Sequence, residues 1–111
     1  MDCIFCAIAA REAPSKMIYE DDRCCAFYDI NPQTDVHFLV ISKEHIPSAA
    51  SLGEEHALLV GHIYAVIATL TGELGCTDFR VITNSGKGAG QTVPHLHFHV
   101  LSGPGLSATL V

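Results

Sequence analysis

Histidine and large apolar residues alternate near the C-terminal end of the chain, in His95-Leu96-His97-Phe98-His99. Successive side chains of a β-strand point to opposite faces. The spacing therefore predicts that the three imidazoles share one face while the apolar side chains pack on the other. Imidazole titrates near neutral pH and acts as a nucleophile, an acid–base group or a metal ligand. We expect an active site here.

Two chemistries are open to three aligned histidines. They could bind a catalytic metal with water in an open fourth position, or one of them could attack an electrophile while its neighbours handle charge and protons. The preceding glycine-rich segment, residues 84–94, favours the second. Glycine turns let main-chain N–H groups approach an anion, and Asn84, Gln91 and Thr92 add donors. This combination predicts a phosphate cradle beside a nucleophile.

These residues resemble the signature of the histidine triad nucleotide hydrolases and transferases, which runs here from Gly90 to Leu101. Further blocks are similar to the family in the same order, and they are Cys3–Cys6, Tyr19–Asp22, Ala26–Gln33 and His37–Ile46. The resemblance covers nearly the whole chain as a single domain, residues 1–111. The short length resembles the Hint branch, the purine nucleoside phosphoramidases.

The resemblance implies an α+β fold with a five-stranded antiparallel meander sheet, continued across a homodimer. It also implies a hydrolase that cleaves the P–N bond of purine nucleoside phosphoramidates, of the AMP-amine type, through a covalent nucleotidyl intermediate on His97. His37 would help to orient the triad, and Asp29 would grip the ribose. The implied apolar slot for the base consists of Ile4, Phe5, Ile8, Phe27 and Ile30. The residues implied to hold phosphate are His99, Gly90, Gln91 and Thr92, with Thr92 near the leaving group. Asn84 would help to bind phosphate or ribose, and His95 completes the triad. The chemistry itself needs no cofactor.

Two other functions remain open. The same nucleophile could prefer dinucleoside polyphosphates or other anhydrides, and the chain could instead be a nucleotide-binding interaction module with incidental activity. The tail after Leu101 lacks the tryptophan and proline ending of animal Hint proteins. The leaving-group preference is therefore open.

Cys3 and Cys6 form a C-x-x-C pair, which by itself is either half of a zinc site or two buried thiols. Bacterial members of the family that carry this pair bind a structural zinc with two further histidines. The matching residues here are His45 and His95. The resemblance thus implies a possible structural zinc ion apart from the chemistry.

Composition sets limits on partners and location. The net charge of −6, with only six lysines and arginines among 111 residues, argues against binding to nucleic acid polymers. The N-terminal region lacks the pattern of a secretory signal, and no apolar run is long enough to span a membrane. Five cysteines, an odd number that includes the adjacent Cys24 and Cys25, favour reduced thiols in the cytoplasm, with the nucleus open for a eukaryotic source.

The elements that position these residues can be read from periodicity and turn signals. A short helix is expected within Cys3–Ala10, and one long helix after Ser51 as N-cap, with a buried stripe formed by Leu59, Ile63, Val66, Ile67, Leu70 and Leu74. Gly75 would end that helix. Strands are expected at Met17–Glu20, Cys24–Asp29, Val36–Ser42, Phe79–Asn84 and Val93–Leu101. His56 and His62 lie on the helical segment and are expected to have no chemical role.

Overall fold

The computed structural model describes residues 3–106. Its helices are α1 (Ile4–Ala9) and α2 (Ala57–Glu73), and its strands are β1 (Met17–Glu20), β2 (Cys24–Tyr28), β3 (Val36–Ser42), β4 (Arg80–Ile82) and β5 (His97–Ser102). In the described part of the chain, neither helix is long and apolar enough to cross a membrane. The last residues of the divergent tail, 107–111, lie outside the described residues.

The strands form one antiparallel sheet in the order β1-β2-β3-β5-β4. The α+β class and the five strands are confirmed, and β1, β2 and β3 follow one another as in a meander. The order then departs from a simple meander because α2 carries the chain to the sheet edge. There β4 forms, and β5 returns between β4 and β3. This inserts the histidine strand in the interior of the sheet.

The sheet has a different cover on each face, and the adjacent cysteines show this alternation. Cys24 packs in the larger cluster with α2, whereas Cys25 packs in the second cluster with α1. Burial raises the pKa of the Cys24 thiol to about 12 and that of Cys25 to about 11. Leu96, Phe98 and Val100 of the histidine segment belong to the α2 side. The alternating pattern therefore places its apolar residues in the core as predicted.

The predicted start of the long helix at Ser51 is wrong. Ser48 caps a short 3-10 turn at Ala49–Ser51 by accepting a hydrogen bond from the Ala50 amide over 3.2 Å. Leu52 is then extended, with φ −75° and ψ 139°, so helix cannot propagate from Ser51. A second 3-10 turn at Glu54–His56 leads into α2. The predicted stripe is buried at Ile63, Val66, Ile67 and Leu70, whereas Leu74 is 38% exposed, and Gly75 has the positive φ of +74° expected of a helix stop.

The predicted strand across the histidines also starts too early. β5 begins at His97 rather than at Val93. The His95 amide donates to the Val93 carbonyl over 2.8 Å, and the Leu96 amide donates to the Ile46 carbonyl over 2.6 Å. These bonds take the chain away from the ladder just before the strand. As a result His97 and His99 share one face of β5, while His95 lies just before the strand begins. At the other edge, β4 is shorter than the predicted Phe79–Asn84.

Candidate active site

His97, the first residue of β5, has its imidazole fixed by the main chain. Its Nδ1 lies 2.6 Å from the carbonyl oxygen of His95, so Nδ1 carries the proton and donates it. The neutral ring then keeps a lone pair on Nε2. Phe5 from α1 packs edge-on against this ring with the centroids 5.0 Å apart, and His97 is only 5% exposed. The result is a rigidly held imidazole with a nucleophilic nitrogen.

A chain of hydrogen bonds orients His99. The Gln33 amide donates to Nδ1 of His37 over 3.1 Å, and Nε2 of His37 lies 2.9 Å from Nδ1 of His99. The donor is the main-chain N–H of Gln33, so Nδ1 of His37 must be the acceptor. The proton of neutral His37 is therefore on Nε2, which donates to His99. His99 must then carry its own proton on Nε2. The geometry thus assigns opposite roles to the two strand histidines, a lone pair on His97 Nε2 and a donor on His99 Nε2.

Burial keeps this pair of histidines neutral. It lowers the pKa of His99 to about 4, with the neighbouring His97 and His37 adding to the shift. Burial also lowers the pKa of His37. The Asp29 carboxylate, whose Oδ2 is 3.4 Å from His37 Nε2, opposes both shifts. Only a neutral imidazole has both an N–H donor and a nitrogen lone pair, and the roles assigned to these rings require both.

An apolar cleft of about 980 Å³ opens beside these histidines. His37 and Phe5 line it, and they contact His99 and His97 respectively. The predicted residues that line the cleft are Ile4, Phe5, Ile8, Phe27, Asp29, Ile30 and Thr92. Ile30 is 90% exposed at its rim. The structure therefore brings the predicted base slot, the predicted ribose carboxylate and the histidines to one place.

In the glycine-rich segment, residues 84–94, the donors of Gln91 and Gly90 that were predicted to bind phosphate are occupied by other groups of the protein. Both amide hydrogens of Gln91 are used, since Nε2 donates to the carbonyls of Pro47 (2.7 Å) and Val93 (3.0 Å), and its Oε1 accepts from the Gly86 amide. The Gly90 amide donates to the Lys87 carbonyl over 3.0 Å. In this conformation neither Gln91 nor Gly90 has a donor left for phosphate, and Asn84 does not line the cleft. These hydrogen bonds hold the loop in its conformation.

A second cluster lies on the other side of His97. Nδ1 of His95 is 3.3 Å from Cys3 Sγ, 3.5 Å from Cys6 Sγ and 3.2 Å from His45 Nδ1, and Cys6 Sγ is 3.1 Å from His45 Nδ1. Tetrahedral zinc, with bonds of about 2.3 Å to sulfur and about 2.0 Å to nitrogen, places its ligand atoms roughly 3.3–3.7 Å apart. His95 Nε2 lies 2.7 Å from the Ser42 carbonyl, which leaves the Nδ1 lone pair for a metal. The donor set therefore fits zinc.

Comparison with known proteins places this geometry in a family. A family model described as "Scavenger mRNA decapping enzyme C-term binding" matches residues 2–109. An uncharacterized HIT-like protein of Synechocystis is 47% identical, over 92% of this chain and 90% of the relative. A histidine triad protein of Clostridium difficile superposes with a TM-score of 0.92 at 47% identity, covering 96% and 95% of the two chains. The chain belongs to the histidine triad family.

The likeness to solved histidine triad structures covers nearly all of this chain. A HIT family hydrolase of Clostridium thermocellum superposes with a TM-score of 0.94 at 41% identity, over 99% of this chain and 97% of that one. This chain is thus similar throughout to a histidine triad protein described as a hydrolase. The resemblance identified from the triad and the blocks around it is confirmed at the level of the family and its fold.

Sequence reasoning did not identify which individual main-chain groups bind the triad and His37. The carbonyls of His95 and Ser42 and the amide of Gln33 decide where each ring carries its proton. Every residue has these groups, so no residue type marks them. The cleft is also lined by Lys16 and Tyr28, which the sequence did not single out. Lys16 directly precedes β1 and Tyr28 ends β2, and only the sheet register brings them to the cleft.

Proposed function

We propose that the chain hydrolyses purine nucleoside phosphoramidates through a nucleotidyl intermediate on His97. The observation that carries the proposal is the 2.6 Å contact between His97 Nδ1 and the His95 carbonyl. It commits the ring proton to Nδ1 and leaves Nε2 as a fixed, neutral nucleophile beside a cleft of nucleotide size. The similarity to a HIT family hydrolase supports the reaction class.

The nucleotide lies in the cleft with its base against Ile4, Ile8 and Phe27. The ribose lies against Asp29. Oδ1 of Asp29 accepts a hydrogen bond from the main-chain N–H of Asn31 over 2.7 Å, and Oδ2 faces His37. A carboxylate can accept hydrogen bonds from both ribose hydroxyls. This pose brings the α-phosphorus to His97.

The reaction proceeds in two displacements at phosphorus. Nε2 of His97 forms a bond to phosphorus while the P–N bond breaks, and the departing nitrogen takes a proton from solvent and leaves as the neutral amine. Water then attacks phosphorus, the bond to Nε2 breaks, and the nucleoside monophosphate is released as the water gives up a proton. His99 donates its Nε2 hydrogen to a phosphoryl oxygen in both transition states, where charge stabilisation has its largest effect. Thr92, at the rim of the cleft, is placed near the leaving group.

Hydrolysis of adenosine 5′-phosphoramidate in the presence of a chelator tests this proposal. The wild type should release AMP, and His97→Ala should lose more than about 10³-fold in kcat, since the nucleophile is removed. His56→Ala removes a histidine outside the site and is the matched control. Circular dichroism of each sample shows that it is folded. A dinucleoside polyphosphate hydrolysed in preference to the phosphoramidate would move the assignment to the anhydride hydrolases, and turnover by His97→Ala would overturn the mechanism.

We propose further that Cys3, Cys6, His45 and His95 hold a structural zinc ion. The ligand atoms all lie within 4.8 Å of one another, and both thiols come from the N-terminal helix region while His95 precedes the catalytic strand. Bound zinc would join these two segments and so stabilise the folded chain. The catalytic steps above involve His97 and His99 and leave this cluster aside.

A homodimer is proposed on the basis of exposed apolar side chains. Leu58 and Tyr64 on α2 are 84% and 48% exposed, and Phe79 beside β4 is 42% exposed. Among the described residues, β4 pairs with β5 alone, so the second copy would meet the molecule at this edge. Light scattering at micromolar concentration should give twice the chain mass of 11.9 kDa, and a monomer would contradict the proposal.

A further inference from the structure

The turn that follows β5 packs closely against the loop between β2 and β3. Gly103 and Gly105 both have φ +101°, and the Leu106 amide closes the turn on the Gly103 carbonyl over 3.2 Å. A Cβ on Gly105 would lie 3.0 Å from the carbonyl oxygen of Gln33. Position 105 therefore requires glycine both for its φ and for the close approach of another backbone segment.

Gln33, the residue that this turn contacts, bears the amide that bonds to His37. Its N–H donates to His37 Nδ1 over 3.1 Å, and the loop is held further by the Thr34 hydroxyl, which donates to the Val36 carbonyl over 2.6 Å. Gln33 itself is exposed, so its position depends on its neighbours in the loop and on the turn. The path from the turn to the triad is thus Gly105, Gln33, His37 and His99.

We propose that the turn Gly103–Leu106 is a positioning element of the active site that fixes the tautomers of His37 and His99. By holding the Gln33 amide against His37, it keeps the His37 proton on Nε2. His37 then donates to His99, whose own proton stays on Nε2. We call this contact between the turn and Gln33 the lock. Its effect on turnover rests on the proposed function, whereas the tautomers themselves are a property of the free protein.

Loss of the lock would exchange the donor and acceptor nitrogens of His99. If the Gln33 amide moves away, Nδ1 of His37 can take the proton and Nε2 becomes an acceptor. His99 would then donate from Nδ1 to His37 and present a lone pair on Nε2. A lone pair facing a phosphoryl oxygen repels it at the point where a donor is needed. Catalysis would fall although every side chain of the triad is still present.

Gly105→Ala tests the proposal, with Gly75→Ala as its matched control. Both glycines have positive φ, but a Cβ at Gly75 (φ +74°) would meet nothing within 4 Å. The control therefore introduces similar backbone strain without displacing Gln33. The tautomers are read from ¹⁵N NMR of the histidine rings in the ligand-free protein, together with amide hydrogen exchange at Gln33. Kinetics on adenosine 5′-phosphoramidate give kcat and KM separately.

The wild type should show His37 protonated on Nε2 alone and a protected Gln33 amide. Gly105→Ala should show mixed tautomers at His37 and His99, faster exchange at Gln33, and a kcat lower by about tenfold, as when a group that orients an active-site histidine is lost. KM should change less than kcat, because Ile4, Ile8 and Phe27, which contact the base in the proposed pose, lie outside this loop. Gly75→Ala should match the wild type in all of these.

Two results would overturn the proposal. One is a wild-type His37 that carries its proton on Nδ1, which needs no variant. The other is a folded Gly105→Ala protein with wild-type tautomers and a protected Gln33 amide. If Gly105→Ala does not fold, Thr34→Ser replaces it, because it keeps the hydroxyl but removes the methyl next to Gly105; unchanged tautomers there would count equally against the lock. A wild type that hydrolyses no phosphoramidate would refute the proposed function while the tautomers are still read directly.

Discussion

His95 and His37 both bind the main chain through one ring nitrogen, but the two main-chain partners are of opposite kind. His95 meets a carbonyl, with Nε2 2.7 Å from the oxygen of Ser42, so that nitrogen must carry the proton. His37 meets an amide, with Nδ1 3.1 Å from the nitrogen of Gln33, so that nitrogen must carry the lone pair. The other nitrogen of each ring is then a lone pair in His95 and a donor in His37.

This difference separates two clusters that look alike in composition. Asp29, His37 and His99 lie as close together as metal ligands do. A metal on His37 Nε2 would require the proton on Nδ1, where it would meet the donating Gln33 amide. The cluster around His95 has its lone pair turned towards two thiols and a second imidazole instead. The main chain thus favours metal binding on one side of His97 and proton donation on the other.

Cys6→Ser should have the largest effect on stability, because it removes a ligand from the proposed zinc cluster. The purified wild type should contain about one zinc per chain and the variant almost none. The free energy of unfolding should fall by roughly 4 kcal/mol, which is what a ligand at about 1,000 times its Kd contributes. Elemental analysis and chemical denaturation measure the two quantities.

Cys76→Ser is the control for that experiment, since Cys76 is a free cysteine of intermediate burial outside the cluster. Asp29→Asn extends the comparison, because it alters the other cluster and should leave the zinc content at the wild-type level. Equal zinc content in the Cys6→Ser variant and the wild type would refute the assignment.

His37→Ala should have the next largest effect, on turnover rather than on metal content. Without the His37 donor, His99 is no longer held with its proton on Nε2. We expect kcat to fall by about 10- to 100-fold with KM within about twofold. His37→Gln keeps a donor near the Nε2 position and should recover part of the loss. A rise in KM with constant kcat would instead assign His37 to substrate binding.

The smallest effect is expected in the pH dependence of stability. The folded-state pKa of His99 is lowered to about 4 by burial, so the unfolded chain binds more protons between about pH 4 and the ordinary histidine value near 6.5. Stability is fully present above that value and is lost as the pH falls through the window. His37, whose pKa is also lowered by burial, contributes with the same sign.

His99→Gln isolates the His99 contribution. Thermal unfolding followed from pH 7 to pH 4 should show a shallower loss of Tm in the variant than in the wild type. His62→Gln, on the opposite side of the sheet next to Asp21, serves for comparison. Identical slopes in His99→Gln and the wild type would show that His99 is not held neutral by the fold.

The sequence predicted the features that depend on side-chain type, but it did not identify the individual main-chain groups that fix the site. Strand β3 (Val36–Ser42) was predicted with its observed ends, since an apolar run between turn signals suffices. The family and several of the cleft residues were likewise accessible, through the resemblance that the motif and the blocks around it carry. The start of α2 was not, because Leu52 after Ser51 is extended, and no residue type around it marks this. Gln91 was predicted to bind phosphate for its amide, and nothing in the sequence shows that Pro47 and Val93 already occupy it.

The covalent state of His97 during turnover is the most direct test of the account. Wild-type protein mixed with adenosine 5′-phosphoramidate, quenched within the first turnovers and digested, should yield a nucleotidylated peptide with the adduct on His97. His97→Ala should yield none, and His37→Ala should form the adduct more slowly. Turnover without any adduct, or an adduct on His95 or His99, would contradict the assignment of the nucleophile from the His95 carbonyl.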